Sequence, residues 1–166
     1  MIATPYFIPD SDINLNSALV LLIISQLSKT SKGRLLLNNE RLLGYYHLAK
    51  NPVVLNSTLI SFGLQPALLD EYDLFSVSSI AKNLDPLYDY GKLRKILLRL
   101  ASLELLTTQY RKADGFMYGL TEKGDLFAAA LCEGYFATVR RYMNAMSGLS
   151  GVTTSNLMAT IQRESY

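Results

Sequence analysis

The chain has 166 residues, of which 49% are hydrophobic, and a formal net charge of +2. This length predicts one domain, or two small domains that share a core. Because the net charge is small, a basic field over the whole molecule is excluded, and any surface for nucleic acid must be local. Cys132 is the single cysteine, which excludes an internal disulfide and fits a reducing compartment.

The strongly apolar run Ala18–Ile24 is too short to cross a bilayer. Two acidic residues, Asp10 and Asp12, precede it in place of the basic segment of a signal peptide. We therefore expect a buried helix here, and a soluble cytoplasmic protein that makes no membrane contact.

The N-terminal part is predicted to begin with an extended arm, residues 1–13, and to continue as a helical unit over residues 14–75. Asn14 or Asn16 is expected to cap a first helix that runs to about Ser28, because a short polar side chain can bind an unpaired amide there. The helix is apolar on nearly all sides, which predicts a central position in the core.

Two further helices are predicted in this unit. The second is capped by Asn38 or Asn39 and ends before Pro52, because proline disfavours helical geometry in the preceding residue. The third covers Val53–Phe62 and is closed by a glycine. Between the first two helices, Leu35–Leu37 is either a short strand or the approach to the second helix.

Residues 76–146 show the element order of a winged helix, in which a helix-turn-helix module is followed by a β-hairpin. Asp114-Gly115 lies between two β-prone runs, and glycine takes the positive φ that a hairpin turn needs. Apolar residues at helical spacing predict the core face of the second helix of the module, which is formed by Leu93, Ile96, Leu97, Leu100 and Leu103. The predicted elements are helix Val77–Leu84, helix Gly91–Leu103, strands Leu105–Tyr110 and Phe116–Leu120, and helix Glu122–Met146, in which Gly134 is an internal weak point.

The fold class is therefore predicted as mainly α with a small β-hairpin wing, a winged helix-turn-helix. Residues 147–166 are predicted as a linker and C-terminal tail. Within them, Asn156–Arg163 either forms a last short helix or frays.

Basic side chains on the second helix of the module and at the hairpin tip form a candidate contact surface. Lys92, Lys95 and Arg99 are spaced at i, i+3 and i+7, and Arg111 and Lys112 lie at the tip. Such residues bind phosphates with release of counterions. The structural alternative is a solvated face, since any surface helix carries charges.

Leu98 is predicted to project among these basic residues, away from the core face. An exposed leucine is poor at reading base edges and suits contact with a protein, and the helix lacks the asparagine or glutamine that reads adenine. We therefore interpret Leu98 and the five basic residues as a surface for a partner protein or the DNA backbone, in preference to sequence-specific readout.

Candidate catalytic residues are few. His47 is the single histidine, and it is predicted to be a structural residue rather than a general base. Cys132 lies in an apolar segment and is predicted to be buried, and one histidine with one cysteine cannot form the usual zinc site. Asp70, Glu71 and Asp73 cluster in a loop without partners for a cleavage site. We therefore predict no enzymatic activity, cofactor or metal.

Four stretches, distributed from the arm through the wing, carry a family likeness. They are Pro5-Tyr6-Phe7-Ile8-Pro9-Asp10 with Asp12-Ile13-Asn14-Leu15-Asn16, Lys32–Leu42 (KGRLLLNNERL), Ser76–Ile80 (SVSSI) with Asn83–Leu87 (NLDPL), and Asp114-Gly115-Phe116 with Leu120–Gly124 (LTEKG). Through them the chain resembles the middle component of bacterial three-component ABC-ATPase systems, the group that includes the Lamassu anti-phage defences.

This resemblance implies a non-catalytic adaptor that bridges an SMC-like ABC ATPase and an effector, commonly a nuclease, with non-specific DNA contact inside the complex. It also implies that the N-terminal helices form a second winged-helix-like unit in tandem with the first. The alternative that the residues leave open is a winged-helix transcriptional regulator, which would bind DNA selectively, usually as a dimer through Glu122–Met146.

Overall fold

The computed structural model describes residues 12–74 and 83–166. Within these ranges the chain is mainly helical, and a two-stranded antiparallel hairpin follows the N-terminal helices. This confirms the predicted fold class of mainly α with a small hairpin, which is compatible with a winged-helix-like fold. The elements are α1 (Ile13–Leu27), α2 (Asn39–Lys50), α3 (Pro52–Ser61), α4 (Glu71–Leu74), a 3-10 helix (Asp85–Tyr88), α5 (Tyr90–Ser102), β1 (Leu106–Arg111), β2 (Gly115–Leu120), α6 (Glu122–Ala130), α7 (Tyr135–Met146), a 3-10 helix (Ser147–Gly151) and α8 (Thr154–Glu164).

Helix α1 lies at the centre of the core, as its apolar sequence predicts. Residues Leu19–Ile24 are buried, and α1 packs against α2, α5, α6 and α7. The side chain of Asp12 accepts hydrogen bonds from two amides of the first turn and caps the helix. The prediction of Asn14 or Asn16 as the cap is therefore wrong. Asn16 lies inside the helix, where it is buried and accepts a hydrogen bond from the Tyr46 hydroxyl.

Helices α2 and α3 follow the predicted pattern. The Asn38 side chain accepts a hydrogen bond from the Arg41 amide at 2.9 Å and caps α2. Helix α2 ends at Lys50, and Pro52 opens α3, where its missing amide is harmless because the first-turn amides have no partner within the helix. Gly63 follows α3 with a φ of 70°, a common way for a helix to end.

Helix α2 also holds the C-terminal part of the chain through a buried arginine. The Arg41 guanidinium donates to the carbonyl oxygens of Leu149 and Val152, each at 2.7 Å, and to the Tyr45 hydroxyl. Burial raises the pKa of the Tyr45 hydroxyl, which keeps this oxygen neutral. Because a buried cation requires hydrogen-bond partners, these contacts fix the 3-10 helix after α7 against α2.

The predicted hairpin is formed by β1 and β2. The register places Arg111 opposite Gly115 at the turn and Leu106 opposite Leu120 at the open end. Gly115 has a φ of 78°, which glycine adopts without the steric cost of a side chain. The Asp-Gly signal therefore marks the turn correctly.

Leu35–Leu37 lies along the outer edge of β2. The Tyr118 amide donates to the Leu37 carbonyl at 3.0 Å, and Lys29 and Leu35 form an isolated bridge. Of the two alternatives predicted for this segment, the strand-like one is therefore the better description. β2 is hydrogen-bonded on both edges, whereas β1 pairs only with β2 among the residues that the structure describes.

The stretch Leu120–Gly124 (LTEKG), which follows the hairpin, joins α6 to the end of α5. The Thr121 hydroxyl accepts a hydrogen bond from the Gly124 amide at 3.0 Å, which caps α6, and donates to the Glu104 carbonyl at 2.7 Å. A Cβ on Gly124 would collide with the carbonyl oxygen of Leu105. The stretch therefore packs two helices closely, and the glycine is needed for space.

The predicted continuous helix Glu122–Met146 is wrong, because the chain leaves helical geometry between α6 and α7. Gly134 has a φ of 56°, which lies outside the right-handed helical region. Arg140 of α7 donates to two carbonyl oxygens at the end of α6, so these groups are satisfied across the break. Cys132 lies in the break and is exposed, which corrects the prediction that it is buried.

Residues 147–166, predicted as a linker and tail, form a 3-10 helix and α8. The helical alternative for the C-terminus is thus the one observed, and Leu157, Met158 and Ile161 of α8 are buried, with α8 packed on α2 and α3. One apolar cluster includes residues from both predicted winged-helix-like units. The division of the chain into units remains a prediction.

Two predicted elements fall on the parts of the chain outside the described ranges. They are most of the N-terminal arm (residues 1–11) and most of the helix Val77–Leu84 (residues 77–82). Among the described helices, none combines the length and the apolar character that a membrane crossing requires.

Candidate partner-binding surface

Helix α5 carries four of the six predicted contact residues. The Asp89 side chain caps it by accepting a hydrogen bond from the Lys92 amide at 2.8 Å. Leu93, Ile96, Leu97 and Leu100 are buried, as their spacing predicts. Leu103 lies just after the helix and is 47% exposed, so the prediction that it belongs to the core face is wrong. Because about 3.6 residues complete a helical turn, the exposed surface of α5 has two flanks, one on each side of this face.

The first flank is basic and carries Lys92, Lys95 and Arg99. The Arg99 guanidinium donates to the Asn14 side chain at 2.6 Å, and the Lys92 ammonium lies 5.9 Å from the centre of the Tyr46 ring. Lys95 makes no hydrogen bond or ion pair within residues 12–74 and 83–166. Of the three cations, Lys95 is therefore the most available to bind an anion.

The second flank borders a cleft of about 560 Å³ between α5 and the hairpin. Arg94, Leu97, Leu98 and Ala101 line its helix side. Leu98 is 60% exposed, as predicted. It lines a cleft that the three basic residues of the first flank do not line, and Arg94 is the one charged residue among those that line it.

The hairpin side of the cleft is also mainly apolar. Leu106, Thr108, Phe116 and Tyr118 line it, and they share one face of the hairpin because side chains alternate along a strand. Phe116 is 55% exposed, and its ring meets that of Tyr110 edge-on with the ring centres 5.3 Å apart. The cleft therefore presents two large exposed apolar side chains, Leu98 and Phe116, on opposite walls.

Arg111 and Lys112 do not line this cleft. The Arg111 guanidinium donates to the Leu35 carbonyl at 3.0 Å, on the face of β1 opposite to Tyr110. Lys112 is exposed in the turn and makes no hydrogen bond or ion pair with any residue that the structure describes. The structure thus groups Lys92, Lys95 and Arg99, the three predicted basic contact residues of α5, on one flank. It places Leu98, Arg111 and Lys112 in three other settings.

Sequence reasoning missed the aromatic side chains of the cleft, Tyr90, Phe116 and Tyr118. Alternation along β2 is a signal that could have placed Phe116 and Tyr118 on one face. It could not have shown that this face meets α5 across a cleft, because that depends on how the hairpin folds back on the helix.

Two carboxylates of the predicted cluster, Asp70 and Asp73, bind side chains of α7. Arg141 forms an ion pair with Asp70 at 2.9 Å, and the Tyr142 hydroxyl donates to the Asp73 carboxylate. Burial, followed by the hydrogen bond to Asp73, raises the pKa of Tyr142 well above its usual value. A cavity of about 320 Å³ opens beside these groups. Glu71 and Asp73 lie in the short helix α4 and not in the predicted loop, and the contacts fasten α4 and Asp70 to α7, which is a structural role.

His47 is a core residue and is 3% exposed, which confirms the prediction of a packed structural histidine. Its Nε2 atom lies 3.4 Å from the Ser165 hydroxyl oxygen, and its Nδ1 atom lies 3.5 Å from the side-chain nitrogen of Asn51. Burial lowers the pKa of His47 to about 4, so the ring is neutral near pH 7. In the described ranges, no group of three or more His, Cys, Asp or Glu side chains is placed to hold a metal ion.

The sequence matches the family model of the ABC-three component (ABC-3C) system Middle Component 4 over residues 27–159. The match covers most of the chain and includes α5, the hairpin and the cleft between them. No curated protein and no solved structure matches the chain. The resemblance carried by the four stretches is confirmed at the level of three-component ABC systems. The chain belongs to the Middle Component 4 family, and it is a middle component of an ABC-three component system.

Proposed function

We propose that this protein is a non-catalytic winged-helix adaptor that bridges an SMC-like ABC ATPase and an effector, commonly a nuclease. The setting is a Lamassu-type bacterial anti-phage defence complex in the cytoplasm, in which the adaptor also contacts DNA without sequence specificity. A tandem arrangement of two winged-helix-like units is part of this proposal. Membership of the Middle Component 4 family supports the adaptor role, because a middle component implies partner subunits.

The observation that carries the proposal is the apolar cleft between α5 and the hairpin. A DNA-reading helix presents polar and basic side chains to base edges and phosphates. Here Leu98 and Phe116 are exposed on the two walls of the cleft. Burying a side chain of this size is worth about 1.5–3 kcal/mol, and the centres of protein interfaces are typically formed by such anchors.

The test is co-expression with the neighbouring ATPase and effector genes, followed by purification through a tag on this protein. We expect the wild-type chain to recover both subunits. Leu98→Asp should reduce the recovery of at least one subunit by a factor of ten or more, because it places a charge in the apolar centre of the contact.

The matched control is Leu126→Asp, since Leu126 is 75% exposed on α6 and does not line the cleft. It should leave recovery unchanged. Failure of the three proteins to co-elute would overturn the adaptor function. Equal losses for the two variants would show that the cleft is not the contact.

A second candidate function, a DNA-binding transcriptional regulator, is favoured by the basic flank of α5 and by the unpaired state of Lys95 among the described residues. It predicts that the isolated protein binds one duplex far more tightly than an unrelated one. Equal affinity for both duplexes, lost in parallel as salt rises, supports non-specific contact by an adaptor instead.

The basic flank is tested by reversing its charge. Lys95→Glu with Arg99→Glu should weaken DNA binding by the assembled complex at least tenfold, while Lys123→Glu, a surface change on α6, should have little effect. Unaltered DNA binding in the double variant would exclude this flank as the DNA contact.

A further inference from the structure

We infer that the outer edge of β1 and the adjoining cleft bind an extended, acidic segment of a partner subunit, which adds a strand to the hairpin. This inference rests on the proposed adaptor function and specifies the chemistry that the cleft recognises. Three observations support it: the hydrogen-bonding edge of β1, the side chains beside that edge, and a cation in the cleft that has no partner among the described residues.

The backbone of the hairpin shows which groups of β1 face outward. The Thr121 amide donates to the Leu105 carbonyl at 3.1 Å, and along an antiparallel pair hydrogen-bonded and non-hydrogen-bonded pairs alternate. The same alternation predicts that the Tyr118 amide points away from β1. It does, since it donates to the Leu37 carbonyl on the other side of β2.

On β1 the outward-facing backbone groups therefore belong to Leu106, Thr108 and Tyr110. Within the described parts of the chain these groups have no backbone partner, and Thr107–Tyr110 are exposed. Soluble proteins usually block an open strand edge with proline, lysine or a bulge. β1 has the sequence LTTQYR in unbroken register with β2, so none of these devices is present in it.

The side chains of the same residues stand beside the cleft. Leu106 and Thr108 line it, and the Tyr110 ring packs on Phe116 at its hairpin wall. A strand added to β1 would therefore direct every second side chain towards the cleft and Leu98. In strand addition, backbone hydrogen bonds supply affinity and the pockets for alternate side chains supply specificity.

The charge of the cleft indicates which side chains the added segment carries. Arg94 is the one charged residue among those that line the cleft, and it has no hydrogen bond or ion pair with any described residue. Lys95 follows it on α5, and Lys112 is exposed at the turn end of β1. A guanidinium forms paired, charge-assisted hydrogen bonds with a carboxylate, so apolar residues flanked by Asp or Glu complement this surface.

The decisive variant removes one outward amide. Thr108→Pro deletes the backbone donor, and proline is tolerated on the outer side of an edge strand. Thr108→Val keeps the amide and is the matched control. In the co-expressed complex, Thr108→Pro should lower the recovery of one subunit at least tenfold, while Thr108→Val should not. Arg94→Glu should also lower it, and Arg94→Lys should do so less.

Hydrogen exchange of the wild-type chain gives a readout that does not depend on a variant folding. On assembly, the amides of Leu106, Thr108 and Tyr110 should become at least tenfold slower to exchange. Unchanged exchange in a complex that contains both subunits would overturn the inference and leave the adaptor function intact. A wild-type chain that recovers no subunit would overturn both.

Hydrogen exchange of the isolated chain distinguishes two other candidate occupants of the β1 edge. If the three amides are already protected and lose protection when residues 1–11 are removed, the occupant is the N-terminal segment of this chain. If their protection rises with protein concentration, the occupant is a second copy. Either result would overturn binding of a partner segment.

Discussion

Helices α1 and α5 are both rich in apolar residues, but they differ in how completely the fold encloses them. The segment Leu19–Ile24 of α1 is buried, and α1 packs against other helices and against β2. Helix α5 buries Leu100 and leaves Leu98 60% exposed, two residues away. The comparison indicates that the core explains the apolar content of α1, whereas α5 retains apolar surface that the described part of the fold does not cover.

The polar groups of the two regions differ in the same way. In the enclosed region, Arg41 and His47 are buried and lie against protein groups on neighbouring elements. Beside the cleft, Arg94 and Lys95 have no such partners among the described residues. We therefore expect stability to depend mainly on the first region, and the proposed recognition of a partner to depend on the second.

The largest expected loss of stability comes from removing the buried guanidinium of Arg41 in the enclosed region. Arg41→Ala removes the guanidinium donors of the Leu149 and Val152 carbonyl oxygens and the contacts with Tyr45, and only the Leu149 oxygen keeps another backbone donor, the Val152 amide. Hydrogen bonds to charged groups are worth about 1.5–3 kcal/mol each, so we expect a loss of about 4 kcal/mol or more in the free energy of unfolding. Urea denaturation measures it.

The control for this variant is Arg34→Ala, which removes an exposed arginine whose nearest carboxylate, that of Asp114, lies 3.8 Å away. Its effect should stay within about 0.5 kcal/mol. Equal losses for the two variants would contradict the role of Arg41 as an anchor for the C-terminal segment.

A matched pair on α5 compares the buried and exposed faces of one helix. Leu100→Ala should cost about 3 kcal/mol, because it removes a fully buried side chain and leaves a cavity. Leu98→Ala should change stability by no more than about 0.5 kcal/mol, while it weakens partner recovery. Thermal and urea denaturation of both variants measure these losses. Equal losses of unfolding free energy for Leu98→Ala and Leu100→Ala would contradict the observed burial.

The smallest of the three predicted losses of stability depends on pH and comes from the titration of His47. Its pKa is lowered from 6.5 to about 4 in the folded chain because burial disfavours the charged ring. Between these values the unfolded chain binds a proton that the folded chain does not, so folding stability falls as pH drops from about 6.5 to about 4. At pH 4.5 this amounts to about 2 kcal/mol relative to neutral pH.

The measurement is the difference in unfolding free energy between pH 7.5 and pH 4.5, for wild type and for His47→Gln. Carboxylates titrate in both proteins, so their effect cancels in the comparison. The variant should lose about 2 kcal/mol less than the wild type over this range. Parallel curves would show that the ring is protonated in the folded protein.

Much of the helical framework could be predicted from local sequence. Asn38, Pro52 and the Asp114-Gly115 pair each act on their immediate neighbours, so the boundaries they predict agree with the observed elements. The break between α6 and α7 could not be predicted with the same ease. It depends on a positive φ at Gly134 and on Arg140 reaching back to α6, which are features of the folded chain.

In the candidate site, too, some features follow from the local sequence and others depend on the folded chain. Helical spacing alone determined which residues of α5 are buried and which carry charge on the exposed side, because periodicity is a property of the local backbone. Only the tertiary structure decided that Leu98 borders a cleft, that Arg111 is bound to the Leu35 carbonyl and that β1 keeps an edge left open by the residues from 12 to 74 and from 83 to 166. These features arise from contacts between segments distant in sequence, and no local pattern records how such segments meet.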